Sequence, residues 1–380
     1  MKVVTLVLSI VYIFLLMIEY NQNSKRRKKF KHVIHVNGTR GKSSTCRLIY
    51  AALKVGGYKV FCKTTGTSAR TIGVDGNEKE IIRSGSPNIK EQIKILKDAE
   101  KQGAEIVVIE CMAVNPELQY VSQNRILGAD ISVVTNVRED HLEEMGSSLE
   151  DICVSMGNTM PWGGYFITAE KKFYEYYREK AKAMGTKAIL AIGNSNYNKI
   201  DFSENVAIAL KVCKILGVDE QKALEGMSNY QKDPGVLKIY KFYTYSEKEV
   251  LFINGFALND PESTVKTYLC LDKKGFFAKQ RFITLLNNRR DRPYRSLQHI
   301  DILKRLSPNE IWLCGSHKQL IRRKLIKNGF IPEQIKYLNI EKLDFYKIGE
   351  PTTIFGIGNV HGCGEKILGY VQKVGKPLDL

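Results

Sequence analysis

Gly38, Gly41, Lys42 and Ser43 stand in the stretch HVNGTRGKSST (35–45), a combination suited to holding phosphate. Glycines let backbone N–H groups turn toward an anion, a lysine reaches terminal phosphates, and a hydroxyl one position on can face Mg2+. A strict Walker A loop reads G-x-x-x-x-G-K-[ST] and would need glycine where Val36 stands. The stretch is therefore either a chance glycine-rich turn or a phosphate loop of another lineage. Two more stretches add hard ligands. Glu110 closes the apolar run EIVVIE (105–110), and a carboxylate ending a buried strand beside such a loop is placed to be an oxygen ligand for Mg2+. TNVREDHLEEMG (135–146) follows another apolar run and adds Asn136, Asp140 and His141, although a lone histidine there would serve equally as a surface or capping residue.

These groups act together only if several strands end at one edge. From Lys31 onward, short β-branched runs alternate with amphipathic helical patterns, which predicts an α/β fold with a largely parallel sheet. HVIHV (32–36) reads as a strand and STCRLIYAALKVGG as a helix stopped by Gly56-Gly57, so the glycine loop lies between strand and helix, as a phosphate cradle requires. Further strands are predicted at 105–110, 131–136, 165–168 and 187–192, and helices at 88–102, 168–184, 203–215 and 219–228. Asp233-Pro234-Gly235 is a turn signal, after which EVLFING (249–255), RFITLLN (281–287), EIWLCG (310–315) and TTIFGIG (352–358) predict a second α/β unit. In open parallel sheets, ligands gather at the carboxyl ends of the strands.

The run VVTLVLSIVYIFLLMI (3–18) is almost wholly apolar and lies at the short end of the length that spans a bilayer. KRRKKFK (25–31) follows, and the positive-inside rule puts that flank and all that comes after it in the cytoplasm. A cleaved signal peptide is the rival reading, but its charges would precede the apolar run, and no small-residue cleavage site follows here. The net charge of +18, from 58 Lys+Arg against 40 Asp+Glu, is only partly due to the basic run, which can also face anionic headgroups. Such a balance suits nucleic acid, a membrane surface or an acidic substrate, and no nucleic-acid-binding signature accompanies it. The eight cysteines stand singly, without CxxC or zinc spacing, and read as small apolar residues in a reducing compartment.

Taken together and in this order, GTRGKS, Glu110 and TNVREDHL resemble the Mur ligase superfamily, whose phosphate loop reads G-T-x-G-K-[ST] with an aliphatic residue at the position of Val36. After the anchor (1–24) and the polybasic segment (25–31) read above, the resemblance implies a central P-loop ATPase domain (32–235) and a C-terminal Rossmann-like α/β domain (236–380). It implies ATP held by Gly38, Thr39, Arg40, Gly41, Lys42, Ser43 and Ser44, and Mg2+ held by Ser43, Glu110 and His141. NGFALNDPES (254–263) resembles a family segment whose asparagine, here Asn259, contacts the nucleotide. NNRRDRPYR (287–295) resembles a loop that closes on ATP and substrate, here with Asp291 and Arg292. A narrower resemblance covers almost the whole chain: the membrane-anchored ligase subunits of poly-γ-glutamate synthases, the PgsB/CapB group. KTTGTSAR (63–70), ECMAVNPELQ (110–119) and FGIGNVHG (355–362) carry it, and it implies substrate contacts at Thr65, Arg70, Asn115, Arg289 and Arg295. There are departures. Many Mur ligases carry a carbamylated lysine after the Asp-His pair, and DICVSMGNTMPWGG (151–164) has none. Asn254 replaces the aspartate that opens the nucleotide segment. Only the anchor precedes the ATP domain, so a UDP-muramoyl substrate is not expected.

The activity so implied is ATP-driven amide formation through an acyl phosphate, with Lys42, Glu110, His141 and Arg292 as its catalytic group. Glutamate and poly-γ-glutamate are the expected substrates, and ATP and Mg2+ the cofactors. Small membrane proteins of a PgsBCA/CapBCA-type complex are the expected partners, at the cytoplasmic membrane, with no nucleic acid and with homo-oligomerisation left open. The cluster Arg289, Arg290, Arg292 and Arg295 reads either as a bidentate clamp for carboxylates or, for some of them, as contacts to the ATP phosphates or the domain interface alone. The rivals are a folylpolyglutamate-synthase-like ligase on another acceptor, a membrane-tethered P-loop NTPase that makes no covalent product, and a nucleic-acid-binding protein that rests on charge alone.

Overall fold

The computed structural model describes residues 2–66, 69–83, 85, 87–232, 237–258, 261–278, 280–289 and 293–378. They divide into two compact units, Met1–Pro234 and Gly235–Leu380.

The first unit is built on eight strands: β1 (His32–Asn37), β2 (Val60–Thr64), β3 (Arg70–Ile72), β4 (Glu78–Glu80), β5 (Ile106–Glu110), β6 (Ile131–Val134), β7 (Tyr165–Thr168) and β8 (Lys187–Leu190). Their order is β4-β3-β2-β5-β1-β6-β7-β8, with β3 and β4 antiparallel at one edge and the other six parallel. Its helices are α1 (Lys2–Arg27), α2 (Lys42–Val55), α3 (Glu91–Lys101), α4 (Pro116–Val121), α5 (Leu142–Met145), α6 (Leu149–Met156), α7 (Tyr174–Ala183), α8 (Ser203–Ile215) and α9 (Glu220–Ser228). A π-helical segment, Ser122–Leu127, continues α4. Helices cover both faces of the sheet, which is why its central strands read as apolar runs and not as alternating patterns. On one face α2, α8 and α9 pack through Leu48, Ile49, Val206, Ile208, Val212 and Met227. On the other, Phe30, Ile95, Leu96, Ala99, Ile126 and Leu127 close a second core.

The strands β3 and β4 gave no signal in the sequence because RTI and EKE are three residues each and mostly polar; β4 is the exposed edge and β3 lies between it and β2. The strand β2 was hidden by Lys63, a charge inside VFCKT that is nonetheless wholly buried.

The basic run after the apolar helix is built into the first unit: α1 continues unbroken to Arg27 and most of the charges are engaged. Arg26 pairs with Glu100 at 2.8 Å, Arg27 with Asp130 at 2.7 Å, Lys29 with Glu100 at 2.5 Å and Lys31 with Glu105 at 2.6 Å. Lys25 and Lys28 stay exposed.

The second unit has strands β9 (Lys238–Tyr243), β10 (Glu249–Asn254), β11 (Arg281–Asn288), β12 (Glu310–Gly315), β13 (Ile335–Tyr337), β14 (Thr352–Ile357) and β15 (Lys376–Leu378). Their order is β13-β12-β11-β14-β10-β9-β15, parallel from β13 to β10, with β9 and β15 antiparallel. Helices α10 (Pro261–Lys273), α11 (Pro293–Leu306), α12 (Lys318–Lys327) and α13 (Cys363–Val374) complete it.

Candidate active site

The strand β1 lies at the centre of the first sheet, between β5 and β6, with β2 beyond β5. The chain runs from β1 to β2 on one side and crosses from β5 to β6 on the other, so the loops after β1, β5 and β6 meet at one carboxyl edge, where open sheets bind ligands. Register makes the meeting close: Val36 lies beside Glu110 and Asn37 beside Val134.

The loop 38–41 takes its shape from residues that follow β6. Thr39 donates its N–H to the Asn136 carbonyl at 3.0 Å, and Arg40 donates its N–H to Asn136 Oδ1 at 3.1 Å. The Arg40 carbonyl accepts from Thr135 Oγ1 at 2.6 Å and from Asn136 Nδ2 at 3.0 Å. Thr39 Oγ1 accepts from the Arg138 N–H at 3.0 Å. Two glycines are obligatory here. Gly38 has φ +128°, and a Cβ there would sit 2.0 Å from Thr135 Oγ1; Gly41 has φ +79°, and a Cβ would meet Asn205 Oδ1 at 2.7 Å.

Gly41 ends the loop in the left-handed conformation and α2 begins at Lys42 without a side-chain cap or an acidic residue in its first turn. Its first N–H groups and positive dipole end thus face the loop, an arrangement that favours an anion. Lys42 folds over the loop, its ammonium donating to the carbonyls of Gly38 at 2.7 Å and Thr39 at 3.2 Å. Ser43 Oγ donates to Glu110 Oε2 at 2.7 Å, and the Thr65 N–H donates to the same oxygen at 2.6 Å. A hydroxyl and a carboxylate that share one point suit an oxygen-seeking divalent cation completed by phosphate oxygens and water. Among the described residues, no three His, Cys, Asp or Glu side chains converge into a cage of their own.

The other sequence candidates stand as follows. His141 adopts φ 49° at the start of α5, its Nδ1 3.1 Å from Glu144 Oε2 and its Nε2 3.8 Å from Asp140. Asp140 also holds Arg40 at 3.2 Å, so the arginine of the loop is turned toward the Asp-His pair. Asn115 caps α4, its Oδ1 accepting from the N–H groups of Glu117 and Leu118. Arg70 lies 3.6 Å from Glu78. Arg289 follows β11, and Arg295 belongs to the first turn of α11. Asn259, Arg290, Asp291 and Arg292 lie outside the described residues.

Several supporting residues have no motif to announce them. Arg47, one helical turn beyond Ser43 and 1% exposed, forms a two-pronged pair with Glu78 at 2.5 and 3.2 Å and donates to the Gln231 carbonyl at 3.2 Å. Lys63 lies between Glu91 Oε1, at 3.2 Å, and Met112 Sδ, at 3.5 Å. Burial lowers its pKa, and the negative charges of Glu91 and Glu110 oppose that shift. Asn205 abuts Gly41 and is itself held by Asp201 at 2.8 Å, the aspartate that also accepts from the Tyr230 hydroxyl. In the second unit, Asn287 Nδ2 donates to the carbonyls of Asn359 at 2.6 Å and His361 at 3.0 Å, tying down the glycine-rich turn after β14.

Known proteins share both units. The Mur ligase middle domain family matches residues 36–223, and the poly-gamma-glutamate synthase CapB C-terminal domain family matches residues 239–374. Capsule biosynthesis protein CapB of Bacillus anthracis is 34% identical over 377 residues, which cover 94% of this chain and 80% of that protein. PGA synthase CapB of Bacillus subtilis (strain 168) is 34% identical over 351 residues, 88% of each chain. Among solved structures, a bifunctional folylpolyglutamate synthase/dihydrofolate synthase from Yersinia pestis, complexed with AMPPNP and a manganese ion, aligns with TM-score 0.66 over 93% of this chain and 92% of its own, at 13% identity. The fold is thus that of the Mur ligases and folylpolyglutamate synthases, and the chain belongs to the CapB family of poly-γ-glutamate synthases.

Proposed function

We propose that this chain is an ATP-dependent amide ligase that polymerises glutamate into poly-γ-glutamate through an acyl phosphate. The observation that carries the reading is the convergence of the α2 N-terminus, Lys42 and the Ser43–Glu110 pair at one sheet edge. A carboxylate oxygen attacks the γ-phosphorus of ATP, the bond to the β-bridging oxygen breaks, and ADP leaves. The amine of a second glutamate then attacks the acyl carbon, phosphate departs and the nitrogen loses a proton. Carboxylates are poor electrophiles, and phosphorylation supplies the leaving group. The chain's part is to neutralise and align the reacting anions. Lys42 meets the terminal phosphates, the N–H groups of the uncapped first turn of α2 cradle them, the loop being shaped for this by its own bonds to Asn136, and Thr65 keeps the Glu110 carboxylate turned toward Ser43. Mg2+, held by Ser43 Oγ and Glu110 with His141 as a further ligand, would supply charge screening when bound.

The remaining assignments belong to the same proposal. Residues 32–235 form the ATP domain and 236–380 the second ligase domain, with Asn259, Asp291 and Arg292 completing the nucleotide site and Arg70, Asn115, Arg289 and Arg295 meeting glutamate carboxylates. Residues 1–24 anchor the chain in the cytoplasmic membrane, catalytic units inside, beside small membrane-protein partners.

The test is ADP release by the full-length chain in membranes with Mg2+, with and without glutamate or short poly-γ-glutamate, and with hydroxylamine present to trap acyl phosphate. A glutamate-dependent hydroxamate is expected. ATP turnover indifferent to every carboxylate would defeat the ligase reading and favour a transducing NTPase.

Two substitutions probe the site. Glu110→Gln keeps an acceptor for the Thr65 N–H but removes the charge, and it is expected to raise the Mg2+ concentration at half-maximal rate at least about tenfold. An unchanged Mg2+ requirement would remove Glu110 from the cation site. Gly38→Ala forces a Cβ onto Thr135 and a side chain into a left-handed backbone, so nucleotide affinity by calorimetry is expected to fall about ten- to a hundredfold. Wild-type affinity in that variant would mean that this loop does not hold the phosphates.

A further inference from the structure

The helix α1 leaves the first unit without a hinge, which fixes what surface faces a membrane. Its apolar portion is exposed along its length, from Val3 at 73% to Ile18 at 37%. Its last turns are bolted down: Asn23, 3% exposed, donates to the Ile126 carbonyl at 2.7 Å, Arg27 donates to the Gly128 carbonyl at 2.9 Å, and Phe30 enters the core beside Ile95 and Leu96. Asn23 lies five positions beyond Ile18, a rise of about 8 Å in an α-helix. A headgroup layer is roughly 5–7 Å deep. If the apolar run fills the hydrocarbon, the protein surface around the exit of α1 therefore reaches the headgroups.

That surface has matching chemistry. Glu19, the first charged residue after the apolar run, lies 3.7 Å from Lys90, which immediately precedes α3. The next residue, Glu91, is gripped by Arg83 at 2.6 and 2.9 Å. Arg83 is preceded by Ile82, whose 92% exposure exceeds that of any other large apolar side chain described. The outward positions of α3 are Lys94, Lys97 and Lys101, all exposed, whereas its Asp98 and Glu100 are partly covered. An exposed isoleucine beside a row of lysines, at the mouth of a membrane helix, matches the layered chemistry of an anionic bilayer: apolar outermost, cationic just beneath.

We propose that Ile82, Lys90 and Lys94 form a second bilayer contact beside α1, with Ile82 entering the boundary between headgroups and acyl chains and the lysines meeting anionic lipid phosphates. The first unit is then held at a fixed attitude to the membrane and does not swing from a tether. This rests on the reading of α1 as a membrane anchor. The full-length chain, with Cys270→Ser and Cys363→Ser to remove the exposed and the half-exposed native thiols, is labelled through Ile82→Cys or, separately, Lys214→Cys, with a polarity-sensitive fluorophore. The second site lies on α8, on the opposite face of the sheet. Both proteins are reconstituted into nanodiscs of phosphatidylcholine and phosphatidylglycerol, with spin-labelled headgroup lipid as a shallow quencher. Blue-shifted, quenched emission at position 82 and solvent-like, unquenched emission at position 214 are expected. Solvent-like emission at both positions, in protein that co-floats with the discs, overturns the second contact and leaves the anchor intact. Protein that fails to co-float overturns the anchor reading and this inference with it.

Discussion

Lys42→Ala is expected to lower glutamate-dependent ADP release by about 10²–10³-fold while leaving the melting temperature unchanged. The magnitude is that of removing one preorganised charge stabiliser from a transition state. Lys42 is the cation that the loop itself directs, its ammonium set by the carbonyls of Gly38 at 2.7 Å and Thr39 at 3.2 Å. The neighbouring Arg40 is turned to Asp140 at 3.2 Å and does not substitute for it. Lys42→Arg is expected to recover little, because a planar guanidinium does not fit where a compact ammonium is encircled by carbonyls. Trapped hydroxamate should fall in step with ADP release, since the lysine acts on phosphoryl transfer and not on amine attack. A Lys42→Ala variant that keeps more than a tenth of wild-type turnover would show that the phosphates are neutralised elsewhere.

The second large effect is on stability. Arg47 and Glu78 have side chains 1% and 8% exposed, so their pair is screened by almost no water. Arg47→Leu removes the two-pronged partner of the buried Glu78 and leaves it the more distant Arg70, at 3.6 Å. Breaking one side of a buried pair costs about 3–5 kcal/mol, which in a unit of this size lowers the thermal midpoint by about 6–20 °C. Replacing both partners with leucine is expected to restore most of that loss, because the penalty comes from the stranded charge. Calorimetric melting of the three proteins checks the pattern, and a loss below about 1 kcal/mol for the single variant would refute it. The consequence for function is direct, because Arg47 sits one turn from Ser43 on α2 and joins that helix to β4 and to Gln231.

The sequence by itself determined the class of chemistry. A glycine loop between a strand and a helix, with Lys42 and Ser43 at the junction, is readable because its residues are adjacent and each acts through its own backbone or a short side chain. The central strands were equally legible, because burial on both faces leaves unbroken apolar runs such as EIVVIE. The tertiary structure decided which distant residues serve that loop. Glu110 reaches Ser43 across 67 positions, and Thr135 and Asn136 hold the backbone of residues 38–41 from nearly a hundred positions away, because β5 and β6 flank β1. Strand order has no local signature, and neither do Lys63, Glu78 or Asn205, whose partners come from elsewhere in the sheet and its helices. The basic run after α1 shows the same limit from the other side. Composition marks it as cationic, but only the packing of α1 against α3 and the π-helical segment before β6 brings Glu100 and Asp130 beside Arg26 and Arg27, turning a solvated charge cluster into a rigid joint.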